Sequence, residues 1–244
     1  MEVLDYAEVF DDHDDAFSHT EVILKKGPEL YRAITDRRFN DTSEIELRTL
    51  DLERIPLSYI QPTCPSNLTR APDPLPPNTY IKRPSLYCSS ESTKSVVLHE
   101  ARICEILKKS PHPNIAEYIG CLVENGRIAG LCFRKYGPNL SEMNRDCHNF
   151  DKKACLRSIR KGIEHLHELG IIHCDVNPMN IFSNGEHANE SFVIGDFDSC
   201  TSEGQDLGLK AGTKGWTKEE FHVATPEMDW YGLSKIEQLL QPHV

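Results

Sequence analysis

Asp175, Asn180 and Asp196 are oxygen-bearing side chains set into short apolar runs. Ile171-Ile172 leads into Asp175, Ile181-Phe182 follows Asn180, and Phe192-Val193-Ile194 leads into Asp196. Short runs of this kind read as strands, and polar residues between them are brought side by side in one loop region. Hard oxygen ligands gathered in that way suit Mg²⁺ and a nucleotide phosphate. For any one of these residues, capping a turn is the commoner role. The set is harder to dismiss, because Asn180 follows Asp175 by five residues and Asp196 follows Asn180 by sixteen.

The elements that must position this loop are legible upstream. Thr79-Tyr80-Ile81-Lys82-Arg83 reads as a short strand carrying a lysine. Val96, Val97, Glu100, Ile103, Ile106 and Leu107 then fall at helical spacing. Glu100 shares a face with Ile103 and Leu107, whereas Glu105 sits on the opposite side. Pro111-His112-Pro113-Asn114-Ile115 ends that helix. Ala116 to Tyr136 reads as two or three strands, with Glu124-Asn125-Gly126 as a hairpin turn. Cys155 to Leu169 is an amphipathic helix closed by Gly170, and it delivers the chain into the central loop.

His173-Cys174-Asp175-Val176-Asn177-Pro178-Met179-Asn180 resembles the H-R-D-x-K-x-x-N catalytic loop of the protein kinase superfamily, and Asp196-Phe197-Asp198 resembles its D-F-G. The strand lysine, the helix and the H-P-N-I turn follow the order of the family's N-lobe. Gly212 to Glu220 resembles the end of an activation segment, and Asp229-Trp230-Tyr231-Gly232 resembles the family's buried aspartate and following helix. The resemblance covers roughly residues 79–240. It implies an α+β, two-lobed kinase-like fold over residues 76–244, with a small β-rich N-lobe (76–136) and a truncated helical C-lobe (137–244). Residues 1–75 are expected to be an acidic N-terminal segment and a proline-rich connector.

By the same resemblance, Asp175 would accept the proton of an attacking hydroxyl, and Asn180 and Asp196 would hold Mg²⁺. Lys82, paired with Glu100, would hold the ATP phosphates. Phe133 and the hinge at Tyr136 would bound the adenine, while His173 and Asp229 would brace the loop. The implied activity is ATP-dependent phosphorylation of a protein hydroxyl, with Ser/Thr favoured by Pro178 and Asn180. The other readings are a pseudokinase, and a small-molecule phosphotransferase of the aminoglycoside or choline kinase type.

The sequence departs from the family pattern in several places. Residues 46–78 contain no glycine, so no glycine-rich loop precedes Lys82. Cys174 stands for the loop arginine, Asn177 for the loop lysine and Asp198 for the last glycine of D-F-G. Asp198 could face the same cavity as Asp196 and bind a cation, or simply occupy a turn. The chain stops shortly after Asp229, which implies that the last C-lobe helices are missing.

Composition sets the remaining bounds. With 244 residues, 39% hydrophobic and 27% charged, the chain can bury a sizeable core. A net charge of −11 argues against a nucleic-acid partner or an acidic membrane surface. Nine scattered cysteines without a C-x-x-C pair read as reduced thiols, mostly packed in the interior. No apolar stretch suggests a signal peptide or a membrane span, so a cytoplasmic or nuclear protein is expected and the sequons at Asn67 and Asn189 carry no weight. The acidic cluster of Asp11, Asp12, Asp14 and Asp15 reads as part of a solvated, poorly ordered arm over residues 1–20.

Overall fold

The computed structural model describes residues 1–11, 16–27, 29–87, 91–185, 191–207, 212–218 and 220–241. Asp12, Asp14, Asp15, Cys88 and Asn189 lie outside the described residues. The chain divides into two compact units: Met1–Pro62 with Pro84–Ser95, and Thr63–Arg83 with Val96–Val244.

The first unit is built on a four-stranded antiparallel sheet, in which β1 (Glu2–Phe10), β2 (Phe17–Lys26), β3 (Glu29–Thr35) and β4 (Glu53–Ile55) lie in sequence order. The described residues of 1–20 are therefore not a poorly ordered arm. Most of that stretch is strand, with Tyr6 opposite Val22 and Glu8 opposite Thr20. The expected strand-like run Glu21–Lys25 lies inside β2 and is buried from Glu21 to Leu24. Val22 and Leu24 pack on one side with Ala33, Phe39 and Ile45, while Ile23 packs on the other with Ile55 and Ile60. Alternation of side chains along a strand explains how one run serves both faces. The alternating stretch around Ile45 to Leu50 forms no strand; two short 3-10 turns carry its apolar residues onto the sheet. A four-residue helix, α1 (Leu57–Ile60), follows.

The second unit begins with the proline-rich connector, which is pinned rather than free. The Ala71 amide donates to the Cys121 carbonyl, and Cys121 donates to Thr69. The Glu105 carboxylate accepts from the Thr69 amide at 2.6 Å and from its hydroxyl at 2.9 Å. Gly120 makes this approach possible, because a Cβ there would lie 2.6 Å from the Ala71 nitrogen. After the connector come β5 (Thr79–Lys82), α2 (Glu91–Lys109), β6 (Tyr118–Glu124) and β7 (Arg127–Arg134), with sheet order β5-β7-β6. Asn125 and Gly126 both have positive φ, 50° and 76°, as a two-residue hairpin turn requires.

The helical part contains α3 (Leu140–Arg145), α4 (Lys152–Glu168) and α5 (Pro226–Leu240) around two short strand pairings. In these, β8 (Ile171–Ile172) pairs with β11 (Thr201–Ser202), and β9 (Ile181–Ser183) pairs with β10 (Phe192–Ile194). Asn139 and Glu142 close α3 with a capping box. α4 starts on Asp151, which accepts from the Ala154 amide, buries Ile159, Ile163 and Leu166, and ends at Gly170 with φ 70°. The H-P-N-I turn stitches the two parts together: Asn114 Nδ2 donates to the Phe192 carbonyl, and Ile194 donates to the Asn114 carbonyl. The pairings at β8 and β9, with that at β10, deliver the three loop segments that carry Asp175, Asn180 and Asp196. Among the described residues, no helix is long and apolar enough to cross a membrane.

Candidate active site

Lys82 leaves the end of β5 and meets three carboxylates. Its Nζ lies 2.8 and 2.9 Å from the two oxygens of Glu100, 2.6 Å from Asp196 Oδ1 and 3.2 Å from Asp198 Oδ2. Glu100 is buried on α2, on the face shared with Ile103 and Leu107, whereas Glu105 on the other side holds the connector. Burial alone would push the Lys82 ammonium down; Glu100, Asp196 and Asp198 together outweigh it and hold the ammonium above its ordinary range. Burial pushes the Glu100 carboxyl up, against the pull of Lys82.

The Asp175 carboxylate is held from several directions. It accepts from Asn177 Nδ2 at 2.9 Å, from the Thr213 amide at 2.9 Å, from the Thr213 hydroxyl at 3.1 Å and from Asn180 Nδ2 at 3.1 Å. Asn177 Nδ2 also reaches Thr213 Oγ1 at 3.2 Å. The amide standing where the family pattern has lysine therefore bridges the loop to Thr213, although it brings no charge. Sequence reasoning gave Thr213 no site role and read Asn177 only as a missing charge. The Gly212-Thr213 pair was visible, but nothing in its spacing pointed to Asp175.

The loop itself is braced from below. Asp229 is fully buried in the first turn of α5 and accepts from the His173 and Cys174 amides, each at 2.9 Å, and from His167 Nε2 at 2.9 Å. The helix N-terminus favours a carboxylate there. Gly232, one turn on, lets α5 approach the loop, since a Cβ would lie 2.3 Å from the Val176 carbonyl. His173 Nε2 donates to the Gly195 carbonyl while Nδ1 accepts from the Asp175 amide, so one tautomer satisfies both contacts. Its ring lies edge-on to Phe197, which in turn lies 6.4 Å from Phe133. Cys174 and Asp196 both have positive φ, 64° and 61°. Such strain in a site persists only where neighbours over-determine it, as the Asp229 and Lys82 contacts do here. Burial, with Asp229 adding, pushes the Cys174 thiol up to about 12, so this thiol is neutral packing rather than a nucleophile.

A cleft of about 270 Å³ opens beside Lys82 and Asp196 and is lined by Tyr80, Ala116, Phe133, Tyr136 and Phe182. Its apolar walls with charge at one end suit a flat heteroaromatic group joined to phosphates. Tyr136 also accepts the Glu117 amide on its hydroxyl, which fixes the hinge side of the cleft. The Asp196 side chain is 34% exposed, against 7% for Asp198, so of the two it is Asp196 that faces open space.

The donor chemistry fits Mg²⁺. Asn180 commits Nδ2 to Asp175, which leaves its Oδ1 for a cation, and Asp196 adds a carboxylate. Among the described residues no group of three His, Cys, Asp or Glu side chains could by itself hold a metal ion. Mg²⁺ commonly takes one or two protein ligands and completes its shell with phosphate oxygens and water.

Residues 81–236 match the protein kinase domain. The chain belongs to the protein kinase family. Its kinase domain is 28% identical over 137 residues to the serine/threonine-protein kinase/endoribonuclease IRE1 of Hypocrea jecorina, covering 49% of this chain and 11% of that protein. It is 27% identical over 148 residues to a probable myosin light chain kinase of Dictyostelium discoideum, covering 57% and 38%. A probable serine/threonine-protein kinase of the same organism, fhkE, is 26% identical over 161 residues, covering 63% and 22%. The chain thus spans well under half the length of these relatives. Within the kinase domain, the structure brings together Lys82, Glu100, Asp175, Asn180 and Asp196, and it places Phe133 and Tyr136 in the adjoining cleft.

Proposed function

We propose that this kinase domain transfers the γ-phosphate of ATP to a serine or threonine hydroxyl of a protein substrate, with Mg²⁺. The observation that carries the reading is the preassembled Asp175, with its carboxylate held by Asn177, Asn180 and Thr213. A base oriented in advance is what phosphoryl transfer asks of a protein, together with charge neutralisation and in-line alignment. In this reading the hydroxyl approaches Asp175, which takes its proton as the new bond to the γ-phosphorus forms, while the bond from that phosphorus to the β-phosphate oxygen breaks and ADP leaves. Lys82, fixed by Glu100, steadies the nucleotide phosphates, and Phe133 and Tyr136 bound the adenine. Mg²⁺ held by Asp196 and Asn180 would neutralise charge on the phosphates.

The protein substrate and the Ser/Thr preference rest on the relatives' names and on the loop residues Pro178 and Asn180. The eight described cysteines are all free and seven of them are buried, which fits a reducing compartment such as the cytoplasm or nucleus. A pseudokinase is the second reading. One observation favours it: in the sheet β5-β7-β6 no glycine-bearing hairpin precedes Lys82, so a backbone cover over the phosphates is missing among the described residues.

The test is thermal stabilisation by ADP with Mg²⁺ or with EDTA. Ligand that binds only the native state raises Tm by mass action. The wild type should be stabilised with Mg²⁺, and Asp196→Asn should lose that shift. Equal stabilisation in EDTA would overturn the metal assignment.

A further inference from the structure

Asp198, which stands where the family pattern has glycine, reaches inward to Lys82 rather than out to the cleft. A lysine ammonium carries three N–H donors. At Lys82 three carboxylates surround it: Glu100 with both oxygens, Asp196 with Oδ1 and Asp198 with Oδ2. Four acceptor contacts on three donors leave no N–H of Lys82 unengaged, and one of the three carboxylates, Asp198, is one that a glycine would not supply. Asp198 is also held in place, since its Oδ1 accepts from the Ser199 hydroxyl at 3.2 Å. It occupies a turn, as one expectation had it, but its side chain is buried against Lys82 rather than pointing to water.

We propose that Asp198 is a positioning residue that competes with the nucleotide phosphates for Lys82, so that nucleotide binds only by displacing the Asp198 carboxylate from the ammonium. The proposal rests on the nucleotide-binding reading above. It predicts weak intrinsic affinity for nucleotide, set by this contact rather than by the missing glycine cover alone. Removing the carboxylate frees one N–H of Lys82 and also removes a negative charge beside the incoming phosphates.

ADP affinity is measured by calorimetry, with Mg²⁺ and with EDTA, for wild type, Asp198→Ala, Asp198→Asn, Lys82→Met and the Lys82→Met/Asp198→Ala double variant. Asp198→Ala should bind ADP tighter by roughly tenfold, the worth of one charge-assisted hydrogen bond released to the ligand. Asp198→Asn, which keeps the shape and one acceptor oxygen, should gain less. In the Lys82→Met background the alanine substitution should bring little gain, because the freed donor is no longer there. Wild type binding as tightly as both Asp198 variants, or more tightly, overturns the proposal while leaving the nucleotide reading intact. A full gain in the Lys82→Met background would also overturn it, since the effect would then be repulsion alone. Failure of every folded variant to bind ADP, checked by an unchanged melting transition, would instead overturn the nucleotide reading and this inference with it.

Discussion

At the residue scale, the site is a set of hydrogen-bonding side chains whose partners are far apart in sequence. The Lys82–Glu100 pair was legible through the family resemblance, with the helix face that Glu100 shares with Ile103 and Leu107 choosing it over Glu105. Thr213 was not legible, because its bond to Asp175 spans 38 residues and depends on how the segment between them folds. It supplies both an amide and a hydroxyl to the Asp175 carboxylate. Thr213→Val removes only the hydroxyl. Turnover should fall roughly tenfold with nucleotide affinity unchanged, since misplacing a reacting group costs rate rather than binding. Thr213→Ser should restore the rate. Wild-type turnover in the valine variant would show that the amide contact alone orients Asp175.

At the scale of elements, the expectations that held rested on capping and periodicity. The Glu124–Gly126 turn and the Gly170 terminus of α4 appear as read, while the strand read over Thr79–Arg83 ends at Lys82 and the helix read from Cys155 starts at Lys152. The first sheet was missed for a physical reason. β1 carries Glu2, Asp5 and Glu8, and its burial pattern is irregular because it is an edge strand broken by two register shifts. Only its pairing with β2 gives it order, and pairing across a sheet is not visible within one segment. The proline-rich connector contains turns as well as bridges at Thr63 and Arg70, and its attachment by Glu105 was not foreseen. That attachment predicts a measurable cost. Glu105→Ala removes two charge-assisted bonds to Thr69, and unfolding in urea should show a loss of about 1–3 kcal/mol. An unchanged midpoint would mean that the connector's backbone bonds to β6 suffice.

At the scale of the whole molecule, two compact units share the chain, and the kinase match falls almost entirely in the second. In the proposed reading that unit keeps the parts that would act on the phosphates: the strand lysine, the helix glutamate, Asp196 with Asn180 as the residues that would hold the metal, and a braced loop carrying Asp175. It departs in parts that would tune nucleotide binding, with Asp198 on Lys82 and, among the described residues of the sheet β5-β7-β6, no glycine-bearing hairpin ahead of Lys82. The account therefore predicts a domain whose chemistry is assembled and whose nucleotide affinity is modest. The most direct test is single-turnover phosphate transfer from ATP with Mg²⁺, to itself or to a generic protein substrate, in wild type and in Asp175→Asn. The account predicts transfer by the wild type, a loss of at least about a thousandfold in the variant, and ADP affinity equal in the two, because Asp175 acts on the attacking hydroxyl and not on the nucleotide. Equal transfer by both proteins, or nucleotide binding without any transfer by the wild type, would contradict it.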